Sequence, residues 1–259
     1  MIKILFFGDI VGRPGRNAIK RFLEEEKQSL GVDLVIANSD NIASGRGPTL
    51  KTYEEMIESG VDVLTPGDHI WDQKEVVGLL EDKKTKIARP LNFPDLVPGK
   101  KFVEIEVKGK KVAVVGLIGR VWTMEGLDSP FAKMDEFLVE YKNELVIVDL
   151  HAEATSEKVA MGHYLAGRVA AVLGTHTHVQ TADEKIINGT AFISDTGSCA
   201  PTDSVIGVVK EQSLKRFTTG LPVTFDVAEG PSQINAVLVE IDDRSGEAKK
   251  IERIQRIYE

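Results

Sequence analysis

The sequence IKILFFGD at residues 2–9 places a short apolar run directly before a glycine and an aspartate. An apolar run of this length that ends at Gly8 predicts a buried β-strand over Ile2–Phe7. Asp9 then lies at the carboxyl end of that strand. The pattern recurs along the chain, and it decides both the expected fold and the expected position of the chemistry.

Helical patterns separate the early strands. The spacing of apolar residues predicts helices over Gly15–Leu30, Leu50–Ser59 and Gln73–Leu80. Strands are predicted between them, over Leu34–Ala37 and Val61–Thr65. Strands joined by helices of this length form right-handed crossovers, so a mainly parallel sheet is expected.

The rest of the chain continues the alternation. Phe102–Val107 and Val112–Leu117 flank a glycine-containing turn and predict an antiparallel hairpin. The later predicted elements are helices at Pro130–Lys142 and Ser156–Gly167 and strands at Leu145–Leu150, Ala170–Leu173, Ile186–Ile187, Ala191–Ile193 and Ile234–Ile241. Without a repeat or clear linker, the sequence predicts one α/β domain over residues 1–259, with two β-sheets packed face to face and flanked by helices.

Composition narrows the class of protein. The 259 residues, 42% hydrophobic and 28% charged, match an ordinary globular chain and exclude a disordered one. The formal net charge of −8 disfavours binding of long nucleic acid through overall charge. Cys199 is the one cysteine, which excludes an internal disulfide and fits a reducing cytoplasm. The apolar run at Ile4–Phe7 is too short for a signal peptide or a membrane span.

Polar residues follow five of the predicted strands. In open α/β sheets the carboxyl ends of the strands form the edge where ligands bind, so these residues are expected to converge on one crevice. They are Asp9, Asp40, Asn41, Asp68, His69, His151, His176 and His178.

These residue types are ligands for divalent cations such as Zn, Mn and Fe. Each has an ordinary alternative: the acidic residues as turn or capping groups, and His151 as a hydrogen-bonded core histidine. However, four of the five histidines in the chain fall at strand ends, with His176 and His178 two residues apart. The full set therefore predicts a metal site, and His163 is given no role.

Other residues are candidates for the walls of such a site. Arg13 and Arg16, in a loop after Asp9, are candidate phosphate ligands, as are Arg46 and Arg120. The alternative for each is a solvated surface charge. Trp71 and Trp122 are interpreted as core or pocket walls.

The ordered segments GD, NSDN, GDHIWD, DLHAEATSEK and GTHTHVQTAD resemble the calcineurin-like metallophosphoesterases. The closer resemblance is to their YmdB-like branch of bacterial cytosolic phosphodiesterases, and it runs from Ile4 to about Ile241. It implies a four-layer α/β/β/α fold, in which helices flank a two-sheet core, and a dinuclear metal centre. Iron or manganese is expected, and zinc is an alternative.

The resemblance also implies a role for each matching residue. His69 would stand beside the metals and protonate the leaving oxygen, and Asp40 would bridge both ions. The first ion would take Asp9, Asp40, Asn41 and His178. The second would take Asp40, Asp68, His151 and His176.

Two positions depart from the branch. Asp40 stands where the branch has Glu, so a shorter side chain must bridge both ions. Asp68 stands where it has Asn, which adds a negative charge to the site. The added charge is expected to hold cations more tightly and to lower their Lewis acidity.

The implied activity is hydrolysis of small phosphodiesters, notably 2′,3′-cyclic nucleotides and short RNA, by attack of a metal-bridging hydroxide. Two alternatives stay open: a phosphomonoesterase or phosphoprotein phosphatase on the same metals, and a low-activity regulator that binds metal or nucleotide. The remaining expectations are a cytoplasmic protein without a membrane partner, which forms a homo-oligomer.

Overall fold

The structure is a computed structural model that describes residues 1–141 and 145–259. The described helices are α1 (Gly12–Leu30), α2 (Leu50–Glu58), α3 (Val76–Glu81), α4 (Pro130–Glu140), α5 (Thr155–Tyr164) and α6 (Lys210–Thr219). A 3-10 helix spans Asp68–Asp72. The described strands are β1 (Ile2–Phe7), β2 (Asp9–Ile10), β3 (Leu34–Asn38), β4 (Val63–Thr65), β5 (Val103–Val107), β6 (Lys110–Ile118), β7 (Leu145–His151), β8 (Ala171–Thr175), β9 (Lys185–Ile187), β10 (Thr190–Ile193), β11 (Ser198–Pro201), β12 (Ser232–Ile241) and β13 (Ala248–Tyr258).

The strands form two sheets. The first has the order β2-β11-β12-β1-β3-β4, with β13 also paired to β12, and the second has the order β5-β6-β7-β8-β10-β9. Parallel pairing holds for β1-β3-β4 and for β6-β7-β8-β10. The prediction of a mainly parallel sheet is too simple, because β12 runs antiparallel to both β1 and β13, and β5 and β9 pair antiparallel at the edges of the second sheet.

Strand β1 shows why the two sheets pack together. Ile4 and Phe6 point into an apolar cluster shared with residues of β6, β7 and β8 in the opposite sheet. Leu5 and Phe7 belong to a second cluster, with residues of α1 and α2. Burial on both faces explains why the strand is continuously apolar from Ile4 to Phe7 rather than alternating.

Helices cover the outer faces of both sheets. Phe22 of α1 packs edge-on against Phe7, with 5.4 Å between the ring centroids. Met134 and Phe137 of α4 and Met161 of α5 pack with the outward residues of the second sheet. The order of layers is therefore helix, sheet, sheet, helix, which confirms the predicted two-sheet α/β fold.

Several boundaries differ from the prediction. Helix α1 begins at Gly12 rather than Gly15, because Pro14 is tolerated in the first turn, where the amides need no helical partner. The predicted helix at Gln73–Leu80 corresponds to α3, which begins later, at Val76, and an unpredicted 3-10 helix precedes it at Asp68–Asp72. The predicted end of α4 at Lys142 lies outside the described residues.

Four α-helices and strands were also not predicted: β2, β11, α6 and β13. The missed helix α6 buries only Ser213, so it lacks the apolar stripe that marks a helix in sequence. Strand β13 buries only Ala248, Ile254 and Tyr258, and its many charged residues hide the strand pattern. No helix in the described part of the chain is long and apolar enough to cross a membrane.

Candidate metal centre

The strand ends of both sheets meet at one edge of the molecule. Asp9 begins β2, Asp40 lies two residues beyond β3, and Asp68 follows β4 at the start of the 3-10 helix. From the second sheet, His151 is the last residue of β7, and His176 directly follows β8. The residues predicted from five separate segments therefore converge, as the positions of the strands required.

One group of possible ligands centres on Asp68. Its Oδ1 lies 2.9 Å from His151 Nε2 and 3.3 Å from His176 Nδ1. The two histidine nitrogens are themselves 3.0 Å apart. One carboxylate oxygen and two imidazole nitrogens at this spacing can bind a single cation.

A second group lies on the other side of His151. His178 Nε2 is 2.9 Å from Asn41 Oδ1 and 3.7 Å from Asp9 Oδ1. Asp40 lies between the two groups: its Oδ2 is 3.4 Å from His151 Nε2, and its Oδ1 accepts a hydrogen bond of 2.8 Å from the backbone N–H of His69. Its short side chain nevertheless reaches the middle of the site.

Asp9 supplies a test of whether these residues fit a metal. Its carboxylate is fully buried, and Oδ1 accepts no hydrogen bond from any residue that the structure describes. Oδ2 accepts one from the backbone N–H of His176, at 3.0 Å. A buried carboxylate oxygen without a donor is costly unless a cation balances it. The donor set of oxygens and neutral imidazoles therefore fits a divalent metal.

Buried charges perturb the pKa of both central ligands. Burial lowers the pKa of His151, but the carboxylates of Asp40, Asp68 and Asp9 outweigh it and raise this pKa well above its ordinary value. Burial raises the pKa of Asp68, but hydrogen bonds to His151 and His176 hold it well below its ordinary value. The carboxylates and imidazoles of the site thus stabilise each other's charged forms.

Groups beneath His151 fix the orientation of its ring. The hydroxyl of Thr175 lies 2.9 Å from Nδ1. That hydroxyl donates to Asp149 Oδ1 at 2.7 Å, and Asn38 donates to Asp149 Oδ2 at 2.9 Å. Burial raises the pKa of Asp149 to about 6. These hydrogen bonds hold the His151 ring so that its Nε2 points toward Asp68 and Asp40.

The loop that carries His176 and His178 is held in an uncommon conformation. Both residues have a positive φ, 97° and 64°, which is strained for a side chain other than glycine. Asp195, one of the residues beneath the loop, accepts hydrogen bonds from the N–H and hydroxyl of Thr177, at 3.0 and 2.7 Å. Lys158 forms a fully buried ion pair with Asp195 at 2.7 Å. Strain of this kind persists only where surrounding contacts fix it.

His69 lies beside the carboxylates without joining either group. Its backbone N–H binds Asp40, and its ring Nδ1 is 3.0 Å from Asp72 Oδ2. The side chain is 39% exposed, which leaves it accessible to a bound substrate. The predicted role of His69 as a group next to the metals stays a prediction.

Sequence reasoning missed several supporting residues. Glu153 Oε2 lies 3.1 Å from His176 Nε2, so it can orient that ring through the nitrogen opposite Asp68. Glu153 and Lys158 both lie within the segment DLHAEATSEK, which the sequence analysis singled out as a whole. The sequence did not indicate the individual roles of Glu153, Lys158 and Asp195, because charged residues usually lie on the surface.

The predicted phosphate-binding arginines differ in exposure and in partners. Arg13 is exposed on α1 and pairs with Glu229 at 3.3 Å. Arg46 is exposed in the loop after Asn41, next to Gly47. Arg16 is largely buried and pairs with Glu55 at 2.8 Å. Substrate binding by Arg13 and Arg46 stays a prediction.

Two packed sheets between helices, with aspartates and histidines gathered at the strand ends, are the arrangement that the resemblance to the metallophosphoesterases implies. A sequence model of the YmdB-like protein family matches residues 5–254. The chain is 45% identical over 256 residues to the 2′,3′-cyclic-nucleotide 2′-phosphodiesterase of Bacillus subtilis (strain 168), covering 98% of this chain and 96% of that one. The chain therefore belongs to the YmdB-like protein family.

Solved structures agree with this assignment. A hypothetical protein from Thermus thermophilus matches with a TM-score of 0.93 and 40% identity, over 99% of each chain. A novel phosphatase from Mycoplasma pneumoniae matches with a TM-score of 0.93 and 37% identity, over 99% of this chain and 93% of that one. The predicted family resemblance is thereby confirmed along nearly the whole sequence.

Proposed function

We propose that this protein is a metal-dependent phosphodiesterase that hydrolyses 2′,3′-cyclic nucleotides. The observation that carries the proposal is the convergence of three aspartates, an asparagine and three histidines at the strand ends, with a buried Asp9 oxygen that accepts no hydrogen bond from any described residue. The named activity of the Bacillus subtilis relative supports the choice of substrate.

Two ions would divide the ligands as the resemblance implies. Asp9, Asn41 and His178 would hold one ion, Asp68, His151 and His176 would hold the other, and Asp40 would bridge them. When bound, the two cations polarise the phosphoryl oxygens and acidify the attacking water. The mixed oxygen and nitrogen donors support iron or manganese and also accept zinc.

His69 would complete the reaction at the leaving oxygen. Water adds to phosphorus, the bond between phosphorus and O2′ breaks, and O2′ takes a proton, which leaves a 3′-monophosphate. Because Nδ1 of His69 pairs with Asp72, the proton would come from Nε2. The backbone N–H of His69 keeps Asp40 in place independently of this step.

The substrate range would extend to short RNA that ends in a 2′,3′-cyclic phosphate, because the same cyclic diester would react. The chain has one cysteine, which supports a reducing compartment and hence a cytoplasmic enzyme. A homo-oligomer stays a prediction, which light scattering of the purified protein would measure.

Three substrates separate the possible functions. A phosphodiesterase hydrolyses bis-p-nitrophenyl phosphate and a 2′,3′-cyclic nucleotide faster than p-nitrophenyl phosphate. Faster hydrolysis of p-nitrophenyl phosphate would identify a phosphomonoesterase instead. Tight metal binding with no hydrolysis of any of the three would indicate a regulator, in which Asp40 and Asp68 have reduced turnover.

A further inference from the structure

A surface pocket of about 550 Å³ lies in the loop between β6 and α4. Arg120, Trp122 and Met124 are among its lining residues. This volume is in the range of pockets that bind small organic molecules. None of the candidate metal ligands lines it.

The pocket is coupled to the metal centre by consecutive contacts. Strand β6 ends beside His151, which pairs with Ile118, and the N–H of Gly119 donates to the carbonyl of His151 at 2.9 Å. Further along the loop, the hydroxyl of Thr123 accepts a hydrogen bond of 3.3 Å from the backbone N–H of Glu153. Glu153 in turn lies 3.1 Å from Nε2 of His176. Thr123 in the wall of the pocket is thus linked through Glu153 to His176, one of the candidate metal ligands.

The loop is anchored where it leaves β6. Glu157 on α5 accepts hydrogen bonds from the backbone N–H groups of Arg120 and Val121, at 3.0 and 3.3 Å. Gly119 packs so closely that a Cβ there would lie 2.5 Å from a carboxylate oxygen of Glu157 and from Cβ of Ala152. The pocket wall is thus fixed before any ligand arrives.

Trp122 is displayed by this loop rather than buried by it. Trp122 is 85% exposed, and its backbone φ of 59° is uncommon for a residue with a bulky side chain. Trp71 provides a contrast, because it is 40% exposed and stacks on Phe93 at 5.5 Å. A strained backbone that holds a large aromatic ring in solvent beside a catalytic site points to a ligand that covers the ring.

We infer that Trp122 is the stacking platform for the base of a nucleotide whose phosphate lies at the metal centre. The inference rests on the proposed function, and it adds the residue that recognises the nucleoside part of the substrate. An exposed aromatic face stacks on any base, so Trp122 favours nucleotides over base-free diesters without selecting one base.

Tryptophan fluorescence tests the stacking without requiring turnover. The chain has two tryptophans, so Trp71→Phe leaves Trp122 as the one indole and keeps an aromatic ring against Phe93. Adenosine 3′-monophosphate should quench its emission saturably, and ribose 3-phosphate should not. Absence of quenching by the nucleotide would overturn the inference.

Kinetics give an independent test with a matched control. Trp122→Ala should raise KM for a 2′,3′-cyclic nucleotide about tenfold, with kcat little changed, because one base-stacking contact is lost. Trp122→Phe should restore most of the loss, and KM for ribose 2′,3′-cyclic phosphate should not change. Phe217→Ala, which removes an aromatic residue 82% exposed on α6, should alter neither substrate. An equal effect of Trp122→Ala on both substrates would overturn the inference.

The two tests also separate this inference from the proposed function. If Trp122→Ala does not change KM for the 2′,3′-cyclic nucleotide, the proposed function stands and the stacking role of Trp122 is wrong. Saturable quenching in a protein that hydrolyses no diester would support the platform and reject the proposed phosphodiesterase.

Discussion

His69 joins two tasks in one residue. Its backbone N–H donates to Asp40, and its half-exposed ring pairs with Asp72. The hydrogen bond to Asp40 comes from the main chain, so a substitution of the side chain does not remove it. The proposed proton transfer depends on the ring, so a substitution of His69 can separate this transfer from metal binding.

The substitution His69→Ala should lower kcat for cyclic nucleotide hydrolysis by about 10²–10⁴-fold, which is the usual contribution of a positioned acid. Metal content should stay unchanged, because the backbone bond to Asp40 remains. Steady-state kinetics and elemental analysis of the same preparation measure both quantities.

Asp40→Asn is the comparison variant, because it removes a charge from the centre of the site and should lose metal. Equal metal loss in both variants would contradict the assignment of His69 as a group outside the ligand set.

At the scale of elements, the turn after β4 must pass very close to the end of β7. A Cβ on Gly67 would lie 2.4 Å from Cδ2 and Nε2 of His151, a distance that real Cβ atoms do not show. Glycine at this position therefore permits the approach of Asp68 to His151, at 2.9 Å.

Gly67→Ala should displace the His151 ring and weaken Mn²⁺ binding by about 10–100-fold, as when a supporting contact of a metal ligand is lost. Metal titration followed by calorimetry measures the loss, and circular dichroism checks that the fold persists. Gly78→Ala on α3 is the control, because an added Cβ there meets nothing within 4 Å. Unchanged Mn²⁺ affinity in Gly67→Ala would show that His151 is not a ligand.

The loop after β8 depends on a buried ion pair. Lys158→Met should lower the free energy of unfolding by about 3–5 kcal/mol, because it leaves Asp195 buried without its cation. Urea denaturation measures this. Lys249→Met removes an exposed pair with Glu247 and should cost at most about 1 kcal/mol. If the two variants lost the same small amount, the ion pair would not fix the loop.

The elements that carry the site could be predicted because their strands are buried and their ends are polar. β1 is apolar from Ile4 to Phe7, and β7 and β8 begin with apolar runs at residues 145–148 and 171–173. The candidate ligands Asp9, His151 and His176 lie at or just beyond the ends of these strands. β13 and α6 escaped prediction because each buries few side chains, so neither periodicity appears in the sequence. The pairing of Lys158 with Asp195 joins residues distant in sequence, and local patterns contain no information about such contacts.

For the whole molecule, metal binding and protons compete for the same site. Carboxylates raise the pKa of His151 well above its ordinary value despite its burial, which favours the protonated imidazole when no cation is bound. This protonation stabilises the metal-free fold fully below the ordinary histidine pKa of about 6.5, and that stability is lost as the pH rises through the raised pKa. A cation that binds His151 must displace the proton.

Affinity for Mn²⁺ should therefore rise about tenfold per pH unit between pH 6 and 8, with release of protons on binding. Calorimetry in two buffers of different ionisation enthalpy measures both. His163→Ala should leave this dependence unchanged, since His163 is exposed on α5. A Mn²⁺ affinity that did not change between pH 6 and 8 would contradict competition between the metal and a proton on His151.

The central claim is that a dinuclear metal centre at the strand ends hydrolyses a cyclic diester. The most direct test combines elemental analysis with ³¹P NMR of a 2′,3′-cyclic nucleotide, using one preparation loaded with Mn²⁺. We expect about two metal ions per chain and conversion to the 3′-monophosphate, both lost in Asp9→Ala. Full conversion by metal-free protein, or an intact metal content without any conversion, would contradict the account.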